Sequence, residues 1–201
     1  MANIAVVGAT GNIGRVIGDE ALRRGHRLTG TTRSAANLPA RDRLTVAVVA
    51  PTDTAALAET LRGHDAVVVA LRWEHVAVDV VVAAIRRAGV KRALFVVGAG
   101  SLYRADGRLH FAHMVNPSPS AKPAMAALDA LRNIDDLDWT AISPPATIAP
   151  GQRTGRFRTA TDTMVVDADD QGRISREDFA VAILDEIERP RHPRRRFTVS
   201  Y

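Results

Sequence analysis

A chain of 201 residues, 46% of them hydrophobic, is long enough to bury a full core, and its net charge of +5 is almost wholly arginine because Lys91 and Lys122 are its only lysines. The absence of cysteine excludes disulfides, thiolate nucleophiles and cysteine metal sites and suits a reducing compartment. No charged-then-apolar leader precedes the first strand pattern and no apolar run approaches a membrane span, so the expected setting is soluble and cytoplasmic. Nucleic-acid binding is not expected, since the basic residues are scattered apart from Arg191, Arg194, Arg195 and Arg196, and aromatic residues make up only 4%.

The chain opens with an apolar run that leads into Gly8-Ala9-Thr10-Gly11-Asn12-Ile13-Gly14. A strand turning sharply into a helix needs glycine where φ is positive and where a ligand must approach the main chain. The helix that follows aims unpaired N–H groups and its positive dipole end at the turn, which suits a pyrophosphate. Ile13, Val16, Ile17 and Ala21 recur at helical spacing, so the helix is predicted over Asn12 to Arg24 with Gly25 as its stop. A kinase-type P-loop is excluded, because Ile13-Gly14-Arg15 stands where Gly-Lys-Ser/Thr would be required.

An NAD site usually places a carboxylate about 20 residues beyond the glycines, on the ribose hydroxyls. Here Leu28-Thr29-Gly30-Thr31-Thr32-Arg33-Ser34 offers none, and the Arg33 guanidinium matches a 2′-phosphate instead, which favours NADP(H) over NAD(H).

Strands and helices then alternate. Predicted strands are Leu44 to Val49, Ala66 to Leu71, Leu94 to Val97, Trp139 to Ser143, Thr163 to Val166 and Phe197 to Ser200. Predicted helices run from an Asp53 cap to Leu61, from Val76 to Ala88, from Ala124 to Asn133, and from a Ser175/Asp178 capping box to Glu188. The expectation is one α/β domain over residues 1–201, a Rossmann-type doubly wound fold with a mostly parallel sheet and helices on both faces. Leu102 to Ser120, rich in proline, glycine and charge without period, is expected to be a substrate loop.

These segments, with Gly63-His64-Asp65-Ala66-Val67-Val68, Val97-Gly98-Ala99-Gly100-Ser101-Leu102, Ser143-Pro144-Pro145-Ala146, Ile174-Ser175-Arg176-Glu177-Asp178-Phe179-Ala180 and Arg196-Phe197-Thr198-Val199, resemble the atypical short-chain dehydrogenase/reductases. The likeness is to the small NAD(P)H-binding group related to NmrA-like proteins and to biliverdin and flavin reductases, and it covers essentially the full chain. It implies that Thr10, Gly11, Asn12 and Ile13 hold the pyrophosphate between Gly8 and Gly14, and that Thr32 and Arg33 hold the adenosine ribose and its phosphate. It further implies that Ala70, Leu71 and Arg72 line the adenine-to-ribose path, and that Gly98, Ala99, Pro144, Pro145 and Ala146 flank the nicotinamide. Two departures stand out. Val49-Ala50-Pro51 lacks the family's acidic residue after the third strand, and the tyrosine of the superfamily's Tyr-x-x-x-Lys pair is replaced by Ser118, four residues before Lys122.

A serine hydroxyl is too weak an acid to stand in for the phenol. Ser101, Tyr103 and Lys122 are therefore the catalytic candidates, with His113 as a titrating loop residue. No metal is expected. Asp167, Asp169, Gln171, Gly172, Ile174 and Asp178 partly imitate a calcium loop, but a strand pattern precedes them and Asp178 is accounted for by a helix cap. His110 and His113 stand close in sequence without a third ligand. Two functions remain open. One is an NADPH-dependent reductase passing hydride to a small carbonyl, quinone or flavin-like substrate, and the other a non-catalytic NADP(H) sensor acting on a protein partner.

Overall fold

The computed structural model describes residues 1–39 and 41–201. Ten strands and five helices follow in the order β1 (Asn3–Val7), α1 (Asn12–Arg23), β2 (Arg27–Thr32), β3 (Leu44–Val48), α2 (Thr54–Leu61), β4 (Ala66–Val69) and α3 (Val78–Ala88). The second half contains β5 (Arg92–Val96), α4 (Ala121–Arg132), β6 (Asp138–Ser143), β7 (Thr147–Ala149), β8 (Arg158–Ala160), β9 (Arg173–Ser175), α5 (Arg176–Glu188) and β10 (Arg195–Ser200). Eight strands form one sheet in the order β3-β2-β1-β4-β5-β6-β10-β8, parallel except for the β10–β8 edge pair, while β7 and β9 pair separately. The order reverses direction between β1 and β4, and ligands of open α/β sheets bind outside the strand carboxyl ends at such a switch point.

The two faces are read directly from residue alternation. Ala5, Val7, Val67, Val69 and Phe95 join the core beneath α2, α3 and α4, whereas Ile4, Val6, Val68, Leu94 and Val96 join the core beneath α1 and α5. Successive side chains of a strand point to opposite faces, so a sheet covered on both sides requires uninterrupted apolar strands such as Ala66-Val67-Val68-Val69.

Helix termini follow the local chemistry. Gly25 at φ +87° closes α1 with paired bonds from the His26 N–H to Ala21 O and from the Gly25 N–H to Leu22 O, both 3.0 Å. Asp53 caps α2 by accepting from the Ala56 N–H at 3.0 Å. The valine-rich segment is helical as predicted, although α3 starts at Val78, two residues later than Val76. α4 starts at Ala121 rather than Ala124, because Pro123 falls in the first turn, where its missing N–H has no intrahelical partner to lose.

Thr163 to Val166 is not a strand. Only Thr163 makes an isolated bridge, to Tyr103, and the strands of this region are the three-residue segments β7, β8 and β9, too short to show a period. The capping box is half formed. Ser175 Oγ accepts from the Asp178 N–H at 3.0 Å, but the buried Asp178 carboxylate turns away from the Ser175 N–H. It accepts instead from the Thr154 and Gly155 N–H groups at 2.8 and 2.7 Å, from Thr154 Oγ1 at 2.5 Å and from the Tyr201 hydroxyl at 2.9 Å. Among the described residues no helix is long and apolar enough to cross a membrane.

Candidate functional site

The exit of β1 is built from close approaches. Gly8 has φ +92°, and a Cβ there would lie 2.5 Å from the Ala70 carbonyl oxygen. A Cβ on the buried Gly14 would overlap the Gly8 carbonyl oxygen, so the first turn of α1 rests directly on the strand exit. The turn is tied to β2 by the Gly8 N–H to Thr31 Oγ1 at 3.3 Å and the Ala9 N–H to Thr31 O at 3.2 Å. Gly11, exposed and without a side chain, is the N-cap of α1, and no side chain caps the helix. The first-turn N–H groups of Asn12 and Ile13, beside the half-buried Thr10, are left for a ligand to satisfy.

Beside this turn lies a cavity of about 210 Å³ lined by Gly8, Thr10, Gly11, Thr31, Thr32, Arg33, Val49, Pro51, Ala70, Leu71, Arg72, His75 and Val76. Its walls thus unite the exits of β1, β2, β3 and β4. Eight of the residues singled out from sequence meet here. Asn12, Ile13 and Gly14 belong to the adjoining helix turn, and Thr31, Val49, Pro51, His75 and Val76 are additions. The apolar Val49 and Pro51 occupy the position after β3 where the related family carries an acid.

Among the described residues no carboxylate lines this cavity, and two guanidiniums do. Arg33 is exposed and makes no ion pair among the described residues. Arg72 is 67% exposed, with its Nη2 2.6 Å from Glu74 Oε1. That contact lies off the hydrogen-bond axis, so the buried Glu74 oxygens have charge compensation but no hydrogen bond. Thr32 is less available than its sequence position implies. Its hydroxyl donates to Ser34 O at 2.9 Å and accepts from the Ser34 N–H at 3.1 Å.

Gly98, Ala99, Pro144, Pro145 and Ala146 lie outside the cavity, at the neighbouring exits of β5 and β6, which run in register through Val96 and Ile142. A Cβ on Gly98 would sit 3.1 Å from Ala124 Cβ, so glycine lets α4 pack against this exit. Pro144 and Pro145 are buried, and Ala146 is exposed.

Of the three catalytic candidates, Ser101 and Tyr103 both border the Arg196–Asp162 pair, whereas Lys122 is held on α4 beside Phe111. Ser101 Oγ accepts from Arg196 Nη1 at 3.0 Å, which leaves the serine proton free to be donated outward. Arg196 is 2% exposed and paired with Asp162. Burial pushes its pKa below the usual arginine value, while Asp162 opposes the shift. Tyr103 is fixed through its backbone, donating to Asp162 O at 2.8 Å and accepting from the Met164 N–H at 2.9 Å, and its side chain is exposed. Lys122 Nζ stands 5.8 Å from the centroid of the Phe111 ring, and Ser118 lies ahead of α4, so no continuous helix joins the two positions.

In the same segment His113 Nε2 lies 3.1 Å from Asp106 Oδ2. His110 has a buried Nδ1 with no hydrogen-bond partner. Burial, then Arg104 and His113, lowers the pKa of His110. The residues of the calcium-like pattern separate, since Asp167 accepts from the Asp169 and Gln171 N–H groups, both at 2.9 Å, while Asp178 is held at the 154–155 turn.

A family model described as NAD(P)H-binding matches residues 8–190. The chain is 34% identical to the uncharacterised protein YwnB of Bacillus subtilis (strain 168), over 98% of this chain and 97% of that one. Among solved structures, one from Burkholderia pseudomallei, provisionally named an exported protein, shares 39% identity with a TM-score of 0.88 over the whole of both chains. Another, from Streptococcus pneumoniae TIGR4 and provisionally named an NADH-flavin reductase, shares 26% identity with a TM-score of 0.85 over 100% of this chain and 99% of that one.

Proposed function

Because this chain belongs to the NAD(P)H-binding family, we propose that it is an NADPH-dependent reductase whose cofactor enters through the glycine turn and spans the exits of β1, β2 and β4 toward those of β5 and β6. The observation that carries the cofactor reading is the pairing of Arg33 and Arg72 on a cavity without a lining carboxylate. A 2′-phosphate is a dianion that two guanidiniums compensate, whereas a bare ribose would leave Arg33 unanswered and Arg72 held by Glu74 alone. Arg72 can swing toward it without breaking a hydrogen bond, since its contact with Glu74 is coulombic only. Gly98, Ala99, Pro144, Pro145 and Ala146 flank the nicotinamide in this reading, and residues 102–120 form the substrate loop.

The missing Tyr-Lys pair narrows the acceptor. Hydride addition to an aldehyde or ketone produces an alkoxide that needs a proton in the same step, and no Tyr-Lys pair is present to give it. A quinone yields instead a phenolate of pKa about 10, a far weaker base. A flavin delocalises the added charge over its ring system. Ser101, backed by the buried Arg196 charge, polarises the acceptor oxygen or ring nitrogen by hydrogen bonding. The test is NADPH consumption with quinones, flavins and aldehydes in parallel. Turnover of the first two classes with little of the third is expected. Tight NADPH binding with no turnover of any acceptor would favour the sensor reading, and no nicotinamide binding would end both.

A further inference from the structure

The arginines near the carboxyl terminus have no part in the dinucleotide cavity, yet Arg194, Arg195 and Arg196 surround a second one. It measures about 340 Å³ and is lined by Arg132, Trp139, Thr161, Asp162, Arg194, Arg195 and Arg196. It lies where α4 ends and β10 begins. Four guanidiniums meet few carboxylates here. Arg132 is shared between Asp129 at 3.0 Å and Asp162 at 3.8 Å, and Asp162 is shared again with Arg196. Arg194 reaches only the Asp135 main-chain oxygen, at 3.2 Å, and Arg195 makes no ion pair among the described residues. Four positive charges against Asp129 and Asp162 leave a surplus of two. The like charge of Arg132 contributes, after burial, to the lowered pKa of Arg196.

We propose that this cavity is a second anion site, taking a small doubly charged oxyanion of the phosphate class between Arg132, Arg194 and Arg195, over a floor formed by the buried Arg196. The donors of Arg196 are committed to Asp162, Ser101 and Ser143, so it supplies charge while the three outer arginines supply N–H groups. The Thr161 side chain adds a hydroxyl at the wall. Guanidinium forks match tetrahedral oxyanions in pairs, and a two-charge surplus is what a dianion neutralises.

Inorganic phosphate is the probe, titrated calorimetrically into the full chain with the dinucleotide site filled by NADPH, and again into Arg33→Ala without cofactor. Saturable phosphate binding is expected in both, weakened by at least about tenfold in Arg195→Ala and in Arg132→Ala. Arg194→Lys, which keeps the charge but loses the fork, should weaken it less than Arg195→Ala. The proposal is overturned if phosphate heat vanishes once NADPH or Arg33→Ala removes the dinucleotide site, or if Arg195→Ala and Arg132→Ala, shown folded by circular dichroism, bind phosphate like the parent chain. Failure of NADPH itself to bind would leave the Arg33→Ala arm to decide.

Discussion

Gly11 and Gly14 separate what the glycine turn does for the fold from what it does for a ligand. At Gly11 the backbone (φ −71°, ψ 162°) suits any residue, and an added Cβ would meet the Gly8 carbonyl oxygen at 3.3 Å and the Ala70 carbonyl oxygen at 4.0 Å. Alanine is a poorer N-cap than glycine but loses less chain entropy on folding, so Gly11→Ala is expected to change stability by no more than about 1 kcal/mol, a melting shift of roughly 3 °C for a chain of this size. At Gly14 the Cβ would collide with Gly8 main-chain atoms, which cannot yield without moving α1. Gly14→Ala should cost about 3 kcal/mol and lower the melting temperature by roughly 6–12 °C. Binding should follow a different order. The alanine methyl would stand in the cavity wall at the residue just before the Asn12 and Ile13 N–H groups, and losing two charge-assisted bonds there costs about 3 kcal/mol or more, at least a hundredfold in Kd. Thermal melts and NADPH calorimetry on both variants are the assay. Parental NADPH affinity in Gly11→Ala would refute the placement of the pyrophosphate, and equal destabilisation in the two would refute the packing argument.

Arg33→Ala should reduce the ratio of NADPH to NADH affinity by about ten- to a hundredfold in parallel titrations, whereas Glu74→Gln, which removes the carboxylate paired with Arg72 and frees that guanidinium for the phosphate, should keep or raise it. At the amino end of β5, away from the strand exits, Glu186 of α5 is buried, accepts from Arg92 Nη2 at 3.0 Å and pairs with His192 Nδ1 at 2.8 Å. Glu186→Ala should cost about 3 kcal/mol in urea unfolding by leaving the buried Arg92 with only the half-exposed Asp138 as its counter-charge, with little effect on NADPH affinity. The pKa of His110 is lowered on folding, chiefly by burial, so below pH 6.5 the unfolded chain takes up the proton first. Its contribution to stability is therefore lost as pH falls from 6.5 through the folded-state value, and His110→Gln should flatten that limb of a pH series of unfolding curves.

Legibility tracked whether a signal was local. Asp53, Gly25 and Gly89 mark helix ends through contacts a few residues away, and each stands where the sequence placed a boundary. The cavity beside the glycine turn was readable for a related reason. Parallel βα units bring strand exits together by rule, so Gly8, Arg33 and Leu71 could be assigned to one place before any contact was known. His75 and Val76 escaped because they sit on the β4–α3 connection, whose path no period fixes. β7, β8 and β9 escaped because three residues cannot display an alternation.

Buried polar groups were the least readable part, because their partners are chosen by tertiary approach. Asp178 has the spacing of a capping box, and a local argument gives its carboxylate to the Ser175 N–H. The chain instead brings Thr154, Gly155 and Tyr201 to it, and four donors outweigh one. Ser101 likewise reads as a strand-end serine until Arg196, 95 residues later, is found donating to it. That bond alters the chemistry available at the β5 exit. A serine alone is a weak hydrogen-bond donor, but one that accepts from a buried guanidinium is a better donor by polarisation, which suits an acceptor needing stabilisation more than protonation. The arginine surplus reads on sequence as a solvated basic tail, whereas in the fold Arg196 is buried against Asp162 and Ser101 while Arg194 and Arg195 line the cavity beside it, an arrangement that only the approach of β10 to the end of α4 creates.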